Sequence, residues 1–259
     1  AAPDHPTGSR GQIIELRAGA AGTVDGMVRW SYDGTELPVD PDDVQTAQVT
    51  TRDSDRGEFP HFLLKEVTAS PGSFRKTLRG KLVEDADGIR VVLGPESLPD
   101  DVRAALRDGH VDRILVIGQG TAAIAGQSLA HHLADFLAES DVRVDAVLAT
   151  ELSGFQLRGD MSDTLVIAIS QSGTTTDTNR TVDLVRGRGA SVIAIVNRRG
   201  SDLTDKSDGV LYTSDGRDVE MSVASTKAFY AQIAAGLVLA SAIADLVPGA
   251  VHSSSPAQQ

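Results

Sequence analysis

Thr164-Leu-Val-Ile-Ala-Ile169 runs without a break into Ser170-Gln171-Ser172-Gly173-Thr174-Thr175-Thr176, and an amphipathic segment opens near Asp177. The first part is a continuous apolar run, the pattern of a strand covered on both faces. The second is a hydroxyl-rich turn. The third carries Arg186 and Arg188 near its end and Gly189 as its stop, the marks of a helix C-terminus. Strand, turn and helix in that order aim the N–H groups of the helix start, with their partial positive charge, at one point. Hydroxyls at 170, 172, 174, 175 and 176 and the Gln171 amide crowd that point. Capping uses one or two of them, so the excess reads as a cup for an anion. The alternative is one capping hydroxyl with the rest in solvent. The loop has no Lys or Arg and the chain has no G-x-x-x-x-G-K-[ST], which excludes a Walker-type nucleotide loop. A small phosphate ester held by neutral donors fits what remains.

Similar apolar runs recur at 114–117, 142–149, 192–196 and 210–212. Val142–Ala149 differs in being broken by Arg143 and Asp145. Between the runs lie helical patterns. Ala122, Ala125, Leu129, Leu133, Phe136 and Leu137 step mostly by three or four and give one apolar face. Strands alternating with helices predict an α/β fold: a three-layer, doubly wound sheet of about five parallel strands. Ligands in such sheets bind outside the carboxyl ends of the strands, where the loops 118–122 and 170–176 both fall. Upstream, Gln12–Arg17 and Met27–Tyr32 predict a small antiparallel β appendage. Asp40–Asp55 reads as a connecting segment. Phe59–Lys81 reads as helical but interrupted at Ser70-Pro71, with Ser70 capping a second piece. The expected domains are 1–57, 58–248 and a tail, 249–259, with disorder expected over the first ten and last eight residues.

The 259 residues carry a net charge of −12 and a pI near 4.8. That balance argues against nucleic acid and anionic membrane surfaces as partners. There is no cysteine, so neither a disulfide nor a thiol nucleophile exists in this chain. A reducing, cytoplasmic setting is expected. The polar N-terminus shows no signal peptide. Ala228–Val247 has membrane-spanning length, but Gln232, Ser241, Asp245 and seven alanines mark it as a buried, Ala-rich helix.

Other constellations are weaker. Gly118, Gly120 and Ala123 spell G-x-G-x-x-A, but Glu151 follows Gly118 by 33 residues instead of about 20. A tight turn accounts for those glycines, and a nicotinamide-dependent oxidoreductase rests on them alone. Glu220-Met221-Ser222-Val223-Ala224-Ser225-Thr226-Lys227 precedes the Ala-rich helix. Ser225 or Thr226 can cap it, or the small residues can close over a sugar. Lys227 reads as structural or solvated instead of catalytic. His131 and His132 are adjacent and cannot face one metal together. No cofactor and no metal are expected, and no residue is assigned as catalytic.

These residues carry a resemblance. I-S-Q-S-G-T-T-T-D-T at 169–178 is similar to the phosphate loop of sugar isomerase (SIS) domains. V-A-S-T-K-A-F at 223–229 resembles the matching stretch in the isomerase half of glutamine–fructose-6-phosphate aminotransferases, the glucosamine-6-phosphate synthases. G-T-A at 120–122 stands where that family has G-T-S, and F-P-H-F-L-L-K-E at 59–66 resembles the entry to the isomerase half. G-Q-I-I-E-L and M-V-R-W-S-Y resemble trailing strands of its glutaminase domain. The resemblance spans residues 11–245.

It implies that Ser170, Gln171, Ser172 and Thr175 bind the sugar phosphate. Thr121 touches sugar or phosphate, and Val223, Ala224 and Ser225 line the sugar. It also implies a homodimer, and an isomerising transfer of glutamine nitrogen to fructose 6-phosphate. Two positions depart from the family. Ala122 replaces a phosphate-binding serine, and Thr174 stands where glutamate is common. Losing a hydrogen bond to a charged group costs about 1.5–3 kcal/mol, or roughly ten- to hundredfold in affinity. The family's second SIS domain, with its histidine, glutamate and lysine, and the glutaminase cysteine have no counterpart here. The expectation is therefore a fragment or split subunit of a larger enzyme. A non-catalytic sugar-phosphate sensor is the competing reading.

Overall fold

The computed structural model describes residues 12–40, 55–86, 88–222 and 225–251. The expectations for the first ten residues, for most of the 40–55 connection and for the last eight lie outside them. The chain divides into two compact units, 1–48 and 49–259. In the first, β1 (Gln12–Leu16), β2 (Met27–Ser31) and β3 (Glu36–Leu37) form an antiparallel sheet, with Ile14 opposite Arg29 and Arg29 opposite Leu37. Ile13, Ile14 and Leu16 of β1 are exposed.

The second unit begins with α1 (Phe62–Leu78), which is one continuous helix. The expected break at Ser70-Pro71 does not occur. The Ser70 hydroxyl donates back to the Glu66 carbonyl at 3.3 Å and Thr68 to Leu64 at 2.8 Å, so neither side chain turns to cap a new helix. Buried Glu66, Ser73 and Thr77 hold the helix down on both sides of Pro71. Next come a hairpin, β4 (Leu82–Asp85) and β5 (Gly88–Val91), and helix α2 (Asp100–Arg107). The sequence reading assigns neither. The hairpin is short and largely exposed, so it lacks an alternating apolar signal. The Pro-Asp-Asp entry to α2 puts acidic residues in its first turn, where they suit the helix dipole.

The main sheet holds β6 (Arg113–Gly118), β7 (Arg143–Leu148), β8 (Thr164–Ser170), β9 (Ser191–Val196) and β10 (Gly209–Tyr212). Its order is β10-β9-β8-β6-β7 and every pairing is parallel, as the apolar runs predict. Side chains alternate between two cores. Ile114, Val116, Leu165, Ile167, Ile169, Ile193 and Ile195 pack on α2, α3 (Thr121–Phe136) and α6 (Lys227–Ala244). Leu115, Ile117, Val166, Ala168, Val192, Ala194 and Val196 pack on α4 (Thr176–Arg186) and α5 (Asp202–Lys206), through Val182, Val185 and Leu203. Because both faces are covered, the central strands are apolar throughout. The β7 strand is at the edge, which explains its Arg143 and Asp145. Asp145 accepts from Arg113 of β6 at 3.1 Å. Helix α6 has the length and composition of a membrane span, and 72% of it is buried inside the unit. Gly236 there sits against Leu129 of α3, where an added Cβ would be 3.2 Å from the Leu129 Cβ.

Candidate functional site

The strand order reverses between β6 and β8, and the crevice of a doubly wound sheet opens at that point. Both loops that leave the carboxyl ends of these strands meet there. After β6, the chain turns at Gly118-Gln119-Gly120 into α3. A Cβ on Gly118 would lie 3.0 Å from the Ala122 carbonyl carbon and the Ala123 nitrogen, so only glycine lets the helix start this close to the strand. Gly120 has φ +56°.

After β8, the loop is organised by its own hydroxyls. Ser170 Oγ accepts the Gly173 N–H at 3.0 Å and lies 3.3 Å from Thr175 Oγ1. Ser172 Oγ accepts from the Thr174 N–H at 3.2 Å and the Thr174 hydroxyl at 3.0 Å. Gly173 turns with φ +67°, and its carbonyl accepts from Leu203 N at 3.1 Å and Asn179 Nδ2 at 3.0 Å. The Gln171 carbonyl accepts from Asn197 N at 3.2 Å. Thr175 occupies the N-cap of α4, yet its side chain makes no capping bond. The hydroxyls therefore shape the loop, and no cap from Thr175 closes the helix start.

A cavity of about 260 Å³ lies over these loops. Thr121 and Ala122 of α3, Ser170, Gln171, Ser172 and Thr175 of the β8 loop, and Ser225 all line it. Of the residues singled out from sequence, the structure thus brings together Thr121, Ser170, Gln171, Ser172, Thr175 and Ser225. Val223 and Ala224 lie outside the described residues. Thr174 is exposed and is absent from the lining. Lys227 is also absent; it is buried, with Nζ 4.0 Å from Asp218 Oδ1.

Ile169, Gln119, Glu220, Ser222 and Gln232 line the cavity too, and none of them is assigned as a ligand contact from sequence, although Glu220 and Ser222 belong to the stretch read as able to close over a sugar. Glu220 does the capping expected of Ser225 or Thr226. Its Oε1 accepts from Thr226 N at 2.9 Å, Thr226 Oγ1 at 2.8 Å and Ala228 N at 3.0 Å, a carboxylate at the positive end of α6. Thr226 sits at the N-cap position without a capping bond of its own. Behind this wall stands Glu66 of α1, 2% exposed. It accepts from Met221 N at 2.5 Å, Ser222 N at 3.3 Å, the Ser222 hydroxyl, and Thr226 Oγ1 at 3.3 Å. Burial pushes the Glu66 carboxyl up, but these bonds together outweigh it and hold it below the usual carboxylate range. Glu66 belongs to no local motif, because its partners are more than 150 residues away in the chain. Its one sequence signal is an acidic residue on the buried face of a helix.

Residues 109–242 match the SIS domain family. Over 228 residues the chain is 38% identical to the glutamine–fructose-6-phosphate aminotransferase (isomerising) of Corynebacterium glutamicum, covering 86% of this chain and 33% of that protein. Over 195 residues it is 39% identical to the enzyme of the same name from Mycobacterium tuberculosis, covering 74% and 28%. The chain thus spans about a third of the length of these relatives. Among solved structures, the C-terminal domain of glucosamine-fructose-6-phosphate aminotransferase from Francisella tularensis superposes with a TM-score of 0.62 at 26% identity, covering 79% of this chain and 52% of that one. A glucosamine-6-phosphate deaminase from Thermotoga maritima shares the fold, with a TM-score of 0.53 at 20% identity. The chain belongs to the SIS domain family and is homologous to the glutamine–fructose-6-phosphate aminotransferases.

Proposed function

We propose that this chain is the sugar-phosphate-binding SIS domain of a glutamine-dependent hexosephosphate aminotransferase. The phosphate sits on the start of α4 against Ser170, Gln171, Ser172 and Thr175, and Thr121, Val223, Ala224 and Ser225 contact the sugar. The observation that carries the reading is the 170–175 loop. Its hydroxyls are pre-set by their own hydrogen bonds, and it opens on a cavity beside a helix start that Thr175 leaves uncapped. Anion recognition here needs no lysine or arginine.

The remaining chemistry belongs to parts outside this chain: a second SIS domain for proton transfer, a glutaminase domain for nitrogen release, and a partner copy. Ile14 and Leu16 on one face of β1 and Ile13 on the other, at 50–74% exposed, support an origin in a larger assembly, because a three-stranded sheet gains little from presenting such side chains to water. A non-catalytic sugar-phosphate sensor is the second reading. It is favoured by Glu220 being the one titratable side chain among the described lining residues, and by its commitment to the start of α6.

Calorimetric titration with fructose 6-phosphate, glucosamine 6-phosphate and unphosphorylated fructose tests the proposal. Saturable binding of the two phosphorylated sugars alone is expected, with no turnover. Equal binding of fructose would remove the phosphate from the account. Turnover by the purified chain would show that no second domain is needed. A second SIS domain following this one in the parent gene separates the aminotransferase reading from the sensor.

A further inference from the structure

Two stretches far apart in sequence bound the cavity: the 170–175 cup, and the wall that carries Glu220 and Ser222. Asn197, which follows β9 and is 3% exposed, is bonded to the first and to the lead-in of the second. Its backbone N–H donates to the Gln171 carbonyl at 3.2 Å. Its side-chain amide grips the backbone of Asp218: Oδ1 accepts the Asp218 N–H at 3.3 Å, and Nδ2 donates to the Asp218 carbonyl. Lys76 and Lys227 come only to 3.6 and 4.0 Å from the Asp218 carboxylate, too far for hydrogen bonds. The chain that reaches Asp218 is strained. In the turn Thr213–Gly216 after β10, Ser214 and Asp215 have φ of +47° and +58°, and Gly216 has φ +71°. Two non-glycine residues in a row in the left-handed region persist only where their surroundings over-determine them. Here the Ser214 N–H donates to Thr77 Oγ1 at 2.8 Å, and Arg199 Nε donates to the Asp215 carbonyl at 3.1 Å. Asn197 supplies the hold on the far side of the turn, at Asp218.

We infer that Asn197 is a positioning residue: by gripping Asp218 it keeps the strained turn in place and fixes Glu220 and Ser222 relative to the cup. Its consequence for ligand binding rests on the phosphate reading of the 170–175 loop, whereas the grip itself can be tested without ligand. Substitution at 197 leaves the backbone bond to Gln171 intact, so the cup keeps its shape and only the wall is released. A strained turn also gives this role a signature that an ordinary buried amide lacks. Glycine at 214 adopts the left-handed conformation without steric cost and sacrifices no side-chain bond, since Ser214 Oγ has no partner. Ser214→Gly therefore returns the wall to its place when Asn197 no longer holds it.

The test compares Asn197→Ala, Ser214→Gly and the double variant in the 259-residue chain. Amide hydrogen exchange is followed without ligand, and fructose 6-phosphate and inorganic phosphate are titrated by calorimetry. In Asn197→Ala, exchange at Met221 and Ser222, whose N–H groups Glu66 holds, should be at least tenfold faster. Exchange at Gly173, held by Ser170, should stay within twofold of the parent. Fructose 6-phosphate should bind at least tenfold more weakly and inorganic phosphate within twofold. Adding Ser214→Gly should bring wall exchange and sugar-phosphate affinity back to within threefold of the parent, while Ser214→Gly alone changes neither by more than twofold. Asn197→Asp keeps the size and the Oδ1 acceptor but cannot donate to the Asp218 carbonyl, and it carries the test if Asn197→Ala fails to fold. Unchanged exchange at Met221 and Ser222 overturns the inference. So does faster exchange at cup and wall alike, or proportional weakening of both ligands, with no recovery from Ser214→Gly; either marks Asn197 as a core residue. If wall exchange responds and recovers as expected but the parent binds neither ligand, the grip is upheld and it is the phosphate reading that fails.

Discussion

Replacing Glu66 by glutamine changes one oxygen to an NH₂ group and removes the charge, at a site where every described partner is a donor. Oε1 holds two backbone N–H groups, those of Met221 and Ser222, which cannot turn away. Oε2 holds the hydroxyls of Ser222 and Thr226, which can rotate and become acceptors. The amide nitrogen therefore settles on the hydroxyl side, and both N–H bonds survive without charge. A hydrogen bond to a charged group is worth about 1.5–3 kcal/mol and a neutral one about 0.5–1.5, so each N–H bond loses about 1 kcal/mol. Thr226 adds little. Its single proton has a nearer acceptor in Glu220, at 2.8 Å against 3.3 Å. The expected cost is about 2 kcal/mol, or roughly 4–8 °C in melting temperature for a domain of this size. The sign of the pH dependence follows from the lowered Glu66 pKa. Its contribution is complete above the ordinary carboxyl value of 4.5 and is lost as pH falls through the lower folded value. Urea unfolding of both proteins from pH 7 to pH 3 measures this. Parent and Glu66→Gln should differ by about 2 kcal/mol at pH 7 and converge at the acid end. A difference under about 0.5 kcal/mol at pH 7 would refute the idea that ionised Glu66 holds this wall.

Two other substitutions probe the loops. Ala122→Ser places a hydroxyl at the α3 start that lines the cavity. It should tighten binding of a sugar phosphate by roughly ten- to hundredfold in calorimetric titration, without altering the melting temperature. Gly173→Ala puts a Cβ 2.0 Å from Ser201 Oγ and 2.6 Å from Ser201 Cβ at a positive φ. By thermal melting it should cost at least about 2 kcal/mol and weaken sugar-phosphate binding, because the turn between the Ser170 and Ser172 bonds cannot keep its shape.

The sheet was legible because its signals are local. Each central strand is a continuous apolar run, and even the exception at 142–149 marked the edge strand. The β8 loop was legible for the same reason, with strand, hydroxyls and helix start contiguous in the chain. Pro71 misled, because helix interruption is a local rule, whereas α1 is held by buried Glu66, Ser73 and Thr77 on either side of it. The cavity wall made by Glu220, Ser222 and Ser225 depends on Glu66, more than 150 residues distant from Met221 and Ser222, and on Glu220 capping a helix that has a nearer Ser and Thr at its start. Gln232 was visible as a polar interruption of an Ala-rich run. Only the fold shows that it lines the cavity.

The central claim is that a phosphate ester sits on the start of α4. Backbone amide NMR of the isotopically labelled chain, titrated with fructose 6-phosphate, tests it most directly. The account predicts that the largest shifts fall on the N–H groups of Ser172 to Asp177 and on Thr121 and Ala122. It predicts loss of those shifts in Ser172→Ala, whose loop lacks the Thr174 contacts. Shifts centred elsewhere, or unchanged by that substitution, would contradict it.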